Sequence, residues 1–273
     1  MPFSRTLLAC AAMAAALGGC TTTGAPPAAA VVETGPYAGK SVLDVAIEAA
    51  GGEAAIGKVK EIYFTGAAKV TVDGATVEQN AAIVVRPFSF YRSTNWAKGA
   101  APKTSRTTQA ELGQAWDVNR VTWQPMAAPA AQFENEQLGL YSLMLVAPLK
   151  AQGATVKEQP VGSDGTRAIQ VTHPGAPGAE LEFDASGKLV RAGYSGTDPK
   201  TGAATATIAT FSGEIISNGV KWPKHIKIER NGAPAFEIEI ATFEALPQKV
   251  VRPLDQAMQY EGGQNNAGEE DAG

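Results

Sequence analysis

The chain opens on an apolar run, Leu7–Leu17, rich in Ala and Leu and preceded by a single positive residue, Arg5. The run has the length of a secretory h-region and is too short to cross a bilayer. Residues 21–36 (TTTGAPPAAAVVETGP) carry no period. They are small, polar and Pro-rich, which is the composition of a flexible tether. Periodic structure begins at Ser41-Val-Leu-Asp44, a capping-box pattern that predicts a helix to about Ala50, stopped by Gly51-Gly52. A second short helical piece covers Glu53–Val59. From Glu61 the period changes to two. Ile62, Phe64, Gly66, Ala68, Val70 and Val72 alternate with more polar or smaller neighbours, which predicts a half-buried strand. Asp73-Gly74 predicts a hairpin turn, with a return strand over about Thr76–Arg86. Pro87 breaks that strand. Phe88–Asn95 predicts the next, with Phe88 and Phe90 on one face.

Residues 97–103 form a Gly/Ala/Pro/Lys loop. Strands then fit about Ser105–Leu112, Gln114–Val118 and Val121–Gln124. Pro129 opens the one long helix in the middle of the chain, running to about Val146 and ended by Pro148. Phe133, Leu140, Leu143 and Met144 give it an apolar side. After it the period returns to two. Strands fit about Thr155–Gln159, Thr166–His173, Ala179–Phe183, Lys188–Thr197, Ala203–Ile216, Val220–Trp222, His225–Arg230 and Pro234–Ala245. Ser163-Asp-Gly165, Ala185-Ser-Gly187, Asn218-Gly219 and Asn231-Gly232 carry turn chemistry that joins antiparallel neighbours. The fold class that follows is mainly β (α+β). About eleven antiparallel strands curl into an open half-barrel, and helices cover its concave face. Residues 37–262 show no internal linker and read as one domain. Residues 263–273 are polar and acidic and read as a disordered tail.

Composition narrows the function classes. Hydrophobic residues make up 44% of the 273, enough for a sizeable core. The formal net charge of −4 argues against nucleic acid, whose binders concentrate Lys and Arg. The two cysteines, Cys10 and Cys20, both lie in the first twenty residues, so a disulfide framework in the folded body is excluded. No cofactor is expected.

The apolar run ends in Leu17-Gly18-Gly19-Cys20, which resembles the lipobox of bacterial lipoprotein signals: a bulky apolar residue, two small ones, then Cys. The resemblance implies cleavage before Cys20, removal of residues 1–19, a lipid on the Cys20 thiol and a tether over residues 20–36. Two or more acyl chains suffice for stable anchoring. Thr21 stands where an Asp would resemble an inner-membrane retention signal, so the expected address is the periplasmic face of the outer membrane.

Three stretches in the body resemble the LolA/LolB-like superfamily of outer-membrane lipoprotein-sorting proteins. They are Ala49–Ile62 (AAGGEAAIGKVKEI), Glu180–Arg191 (ELEFDASGKLVR) and Asn218–Ile226 (NGVKWPKHI). The resemblance spans about Val42–Val251. It implies a curved half-barrel plugged by helices, with an apolar cavity that binds acyl chains of lipoproteins. A lipid-anchored chain departs from the soluble carrier of that superfamily and is more like its membrane-bound acceptor. Neither the carrier's key arginine nor the acceptor's exposed leucine loop is transferred to a residue here.

Catalytic constellations are missing from the sequence. His173 and His225 lack a partner at metal spacing. Gly193-Tyr-Ser-Gly196 is followed by Thr197 where a nucleophile elbow needs Gly. Glu180 and Glu182, and again Glu237 and Glu239, alternate with apolar residues as solvated strand faces do. The candidate cavity lining is aromatic and aliphatic: Phe64, Phe90, Trp116, Trp123 and Phe133 in the first half of the body. Leu140, Met144, Phe183, Phe211 and Trp222 complete it. The leading reading is an envelope lipoprotein, not an enzyme, that binds an acyl-chain or lipoprotein ligand. An envelope scaffold with a filled core, and less favoured an envelope hydrolase, stay open. Protein partners are not specified by the sequence. Replacing Cys20 by Ser should move the protein from the membrane fraction to the soluble fraction after cell lysis. An unchanged membrane fraction would remove the lipid anchor from the reading.

Overall fold

The computed structural model describes residues 35–101, 105–119, 122–151 and 153–250. The predicted signal peptide, Cys20 and the predicted acidic tail lie outside the described residues. Two helices come first, α1 (Val42–Ala49) and α2 (Glu53–Ile56). Ser41 caps α1: its hydroxyl accepts from the Asp44 N–H at 3.1 Å. The Glu158 carboxylate accepts from the Val42 N–H at 2.8 Å and so fixes the same helix end to a distant strand.

Six strands follow: β1 (Glu61–Val72), β2 (Ala75–Arg86), β3 (Phe90–Ala97), β4 (Arg106–Glu111), β5 (Gln114–Asn119) and β6 (Thr122–Pro125). The helix α3 (Ala128–Leu143) and a 3₁₀ turn at Ala147–Lys150 come next. The helix ends a turn earlier than its expected limit at Val146, because Val146 adopts a left-handed φ of 50°. Then come β7 (Thr155–Glu158), β8 (Arg167–His173), β9 (Ala176–Phe183), β10 (Leu189–Thr197) and β11 (Ala204–Ser212). The chain closes on β12 (Ile215–Ser217), β13 (Val220–Trp222), β14 (His225–Arg230) and β15 (Ala233–Leu246).

Among the described residues thirteen of these strands form one antiparallel sheet, in the order β6-β5-β4-β3-β2-β1-β15-β14-β11-β10-β9-β8-β7. The remaining two, β12 and β13, form a separate ribbon. The expected single strand over Ala203–Ile216 is divided at Gly213, whose φ of 65° turns the chain out of the main sheet. The sheet is open. Its edges are β6 and β7, and α3 is the connection between them.

The inner face follows from register. Ile62, Phe64, Gly66, Ala68 and Val70 of β1 stand beside Val85, Ile83, Ala81, Gln79 and Val77 of β2. On the other side Phe64 pairs with Phe243, but Gly66 pairs with Ile240, so Ala241 is an extra residue in β15. The bulge changes the inward set on β15 from Ala245 and Phe243 to Ile240 and Ile238, all of them buried. Gly66 makes the bend possible. A Cβ there would come within 2.2 Å of the Glu239 carbonyl oxygen.

The core is filled along an aromatic row. Phe243 stacks on Trp222 at 5.6 Å. Trp222 lies 6.3 Å from Phe64, Phe64 lies 5.6 Å from Tyr141, and Tyr141 stacks on Tyr91 at 5.9 Å. Tyr141 belongs to α3, which packs against β2 to β5 on one side and β9 and β10 on the other. Its contact with β9 is close. A Cβ on Gly139 would lie 2.6 Å from Pro177 Cδ and 2.8 Å from the Ala176 Cα. Gly139→Ala should therefore destabilise the fold by about 2 kcal/mol despite the better helix propensity of Ala. A chemical-denaturation midpoint at or above that of the wild type would show that the two elements can separate at no cost.

Candidate ligand cleft

Two of the cavities among the described residues are lined by buried aromatic side chains. The first lies beside α1 and is lined by Ala46, Ala50, Met144, Phe183, Leu189 and Trp222. Its volume of about 40 Å³ is room for water, not for an acyl chain. The second is a cleft of about 670 Å³ at the far end of the inner face. That is within the usual range for small-molecule sites. The hairpin ends of β1 and β2 form one wall with Val70, Val72 and Val77. Phe236 of β15 and Phe133 of α3 add apolar surface, and the loop Asp198-Pro199-Lys200 borders the mouth.

The closed end is polar. Glu134, Gln137 and Tyr141 follow one another at i, i+3 and i+7 on α3, so they share one helix face, and that face lines the cleft. Tyr91 and Thr108 reach it from β3 and β4, and Arg230 from β14. The Thr108 hydroxyl donates to Glu134 Oε2 at 3.3 Å. The Arg230 guanidinium sits 4.2 Å above the Phe133 ring. Burial pushes the Glu134 carboxyl up to about 7, against the lowering effect of the Thr108 hydroxyl and the Arg106 and Arg230 charges. Burial likewise raises Tyr91, Tyr141 and Tyr194 and lowers Arg230.

Neighbouring charges are paired. Arg106 contacts Asp117 at 2.6 Å, and Lys200 contacts Asp73 at 2.5 Å. Glu136, buried on the next face of α3, accepts from the Thr197 N–H at 2.8 Å and the Thr197 hydroxyl at 2.6 Å. It also accepts from Gln132 Nε2 at 3.1 Å. Gln137 is 6% exposed, and its Nε2 has no hydrogen-bond partner. It faces the Tyr194 hydroxyl closely enough to favour the ionised tyrosine, without completing a bond of normal geometry.

The ten residues expected to line a cavity are scattered. Phe133 lines the cleft. Met144, Phe183 and Trp222 touch the 40 Å³ void. Phe64, Leu140 and Phe211 are buried in the continuous core. Phe90, Trp116 and Trp123 fall on the outer face instead. Phe90 pairs with Arg86 and Glu111, and it is Tyr91 that stands beside the inward Val85. The cause is Phe88, whose φ of 55° places it in the turn and not on a strand face with Phe90. Trp116 and Trp123 pack edge to face at 6.2 Å on the outside of β5 and β6, with Trp123 48% exposed.

The carboxylates read as solvated faces are on the outside. Glu182 is ion-paired with Arg191, and Glu239 lies 3.6 Å from Lys224. His173 accepts from the Gly175 N–H at 3.0 Å and stacks on Phe88. Among the described residues no group of three or more His, Cys, Asp or Glu is placed to hold a metal. Glu134, Gln137, Tyr91 and Arg230 were not singled out by sequence reasoning, although the spacing of polar residues along α3 carried the signal.

No protein-family model matches the sequence, and no curated protein matches it. Solved structures do resemble the fold. A LolA superfamily protein from Nitrosomonas europaea aligns at a TM-score of 0.50 and 9% identity, covering 75% of this chain and 93% of that one. A domain from Vibrio parahaemolyticus, assigned to an outer membrane lipoprotein-sorting protein, aligns at 0.50 and 9%, covering 81% and 97%. The likeness read from three sequence stretches is thus found again as a likeness of fold.

Glu134 makes stability depend on pH. Its folded-state pKa lies above the ordinary value near 4.3, so the folded state holds the proton more tightly. The associated stabilisation is present at low pH and is lost as pH rises through about 7. Glu134→Gln should flatten this slope and raise stability at pH 8 by on the order of 1–3 kcal/mol. Unfolding free energies that fall equally with pH in both proteins would assign the slope to another group.

Proposed function

We propose that the protein is a lipid-anchored envelope lipoprotein that holds an acyl chain in the cleft beneath α3 and performs no chemistry on it. The observation that carries this reading is the cleft itself. It is large, it opens to solvent at the β1–β2 hairpin, and its outer walls are Val70, Val72, Val77, Phe133 and Phe236. Val72 and Val77 are each 49% exposed, an unusual placement for two valines on an inward phase unless something apolar covers them. Each methylene buried there contributes about 0.8 kcal/mol, so roughly eight of them gain about 6 kcal/mol before the cost of association. The fold likeness to sorting proteins supports the same reading, as does the lipobox before Cys20. Together they favour a tethered receiver or holder of acylated ligands at the periplasmic face of the outer membrane.

The purified full chain should enhance the fluorescence of N-phenyl-1-naphthylamine, and long-chain acyl compounds should displace it. Val77→Glu places a charge on the apolar wall at a position half in solvent, so the fold survives. It should weaken probe binding at least about tenfold. Probe binding that no acyl compound displaces at saturation would end the acyl-chain reading.

A further inference from the structure

The outer face of the sheet is not solvated throughout. On β15 it carries exposed charges such as Glu237 and Glu239, as a wet strand face does. Register places Ala82 and Val84 of β2, Phe90 and Thr94 of β3, Gln109 of β4 and Val118 of β5 on the same outer side. Each of these six is 7% exposed or less. Glu61, at the start of β1, is fully buried. Burial also lowers the Arg92 guanidinium, which stands between Val84 and Gln109, to about 10. Side chains on an uncovered face would remain largely in water, so a further layer lies over this part of the sheet. Among the described residues the helices pack elsewhere: α3 lies on the inner face and α1 against β8.

The chain itself can supply that layer. After β15 ends at Leu246 the backbone turns back toward β1, where the Val250 N–H points at Glu61 Oε1 from 3.4 Å. Glu61 is held there by Arg86 at 3.0 Å. The sequence that follows, Val251-Arg-Pro-Leu-Asp-Gln-Ala-Met-Gln-Tyr260, spaces Val251, Leu254 and Met258 at i, i+3 and i+7 and puts Pro253 in the first turn. That is the pattern of one apolar helix face, and it ends before the acidic, Gly-rich terminus. We infer that residues 251–262 fold back over the outer face of β2 to β5 and cover the buried patch with Val251, Leu254 and Met258. The reach agrees. Strands lie about 4.8 Å apart, so β1 to β5 is about 19 Å, and residues 251–262 span about 18 Å as a helix. The strands covered include β3 and β4, whose inner faces bring Tyr91 and Thr108 to the cleft. The segment therefore backs one wall of the cleft from outside.

No cysteine follows Cys20, so a single introduced thiol can report on the patch. The test uses the full chain carrying Cys10→Ser, Cys20→Ser and Val84→Cys. It measures the rate at which a maleimide labels the thiol, with circular dichroism to follow the fold. Labelling of this parent should be at least about tenfold slower than labelling of the same chain unfolded in urea. Adding Leu254→Asp and Met258→Asp should speed labelling at least about tenfold with the circular dichroism unchanged, because both side chains lie outside the sheet. Where the charged pair costs the fold, Leu254→Ala with Met258→Ala makes the same comparison. Leu7→Asp with Leu8→Asp, in the N-terminal apolar run, should leave the rate as it is. A rate that the changes at Leu254 and Met258 do not move overturns the inference, as does fast labelling in the parent. Faster labelling after the changes at Leu7 and Leu8 alone would assign the cover to the N-terminal run and overturn it as well.

Discussion

The structure depends on one topological constraint: α3 must carry the chain from one edge of an open sheet to the other. β6 and β7 are the two edges, and the chain between them crosses the concave face. A helix in that position has sheet on both sides, so it cannot keep its polar face in water. From Glu136 to Leu143 every residue of α3 is buried. Each polar group there needs a partner from the surrounding strands. Glu136 finds Thr197. Ser142 donates to the Leu138 carbonyl at 2.6 Å and accepts from the Phe88 N–H at 2.8 Å. The Phe88 turn that shifts the phase of β3 is therefore held by the crossing helix. Gln137 is the group the crossing leaves unmatched.

Curvature is the second requirement, and it comes from the centre of the sheet. β1 and β15 are neighbours although they lie at opposite ends of the folded body. Their pairing contains the Ala241 bulge opposite Gly66. The bulge bends the sheet where Ile238, Ile240 and Ala68 close around the core, and it leaves the hairpin end of β1 and β2 projecting beyond α3. The aromatic row from Phe243 to Tyr91 fills the bend. Past Tyr141 no large side chain of α3 other than Phe133 reaches the projecting strands, and the cleft begins there. Filled core and open cleft are thus two parts of one surface, divided by where α3 crosses it.

Much of this was legible in the sequence, because alternation is a local signal. The strands, their Gly-containing turns, the outward glutamates and the central helix all follow from periods of two and 3.6 read within short windows. What was not legible depends on long-range geometry. The expected face of Phe90 assumed that Phe88 continued the strand, but the left-handed φ of Phe88 reverses the phase. Phe64, Phe183 and Phe211 have the composition of a cavity lining and the role of a core. Only the path of α3 decides between the two. The apolar side read on α3, Phe133, Leu140, Leu143 and Met144, presumed a helix with one buried face. Burial on both faces makes the polar set Glu134, Gln137 and Tyr141 the informative one.

That polar set is also where local consistency breaks down. Elsewhere buried charges are capped or paired, as Glu136 and the Arg86–Glu61 pair show. At the closed end of the cleft a carboxyl is held near neutrality, a guanidinium is partly desolvated and an amide donor is unpaired. Each feature lowers the stability of the ligand-free fold. An apolar residue of similar size at any of these positions would remove the cost, and α3 already carries Leu138, Leu140 and Leu143 within the same two turns. Sequences that specify one structure depart from local rules mainly at functional sites. Trp222 Nε1 in the core is a second unpaired buried donor among the described residues, but Glu134 and Gln137 of α3 and Arg230 of β14 gather around one cleft with an apolar mouth.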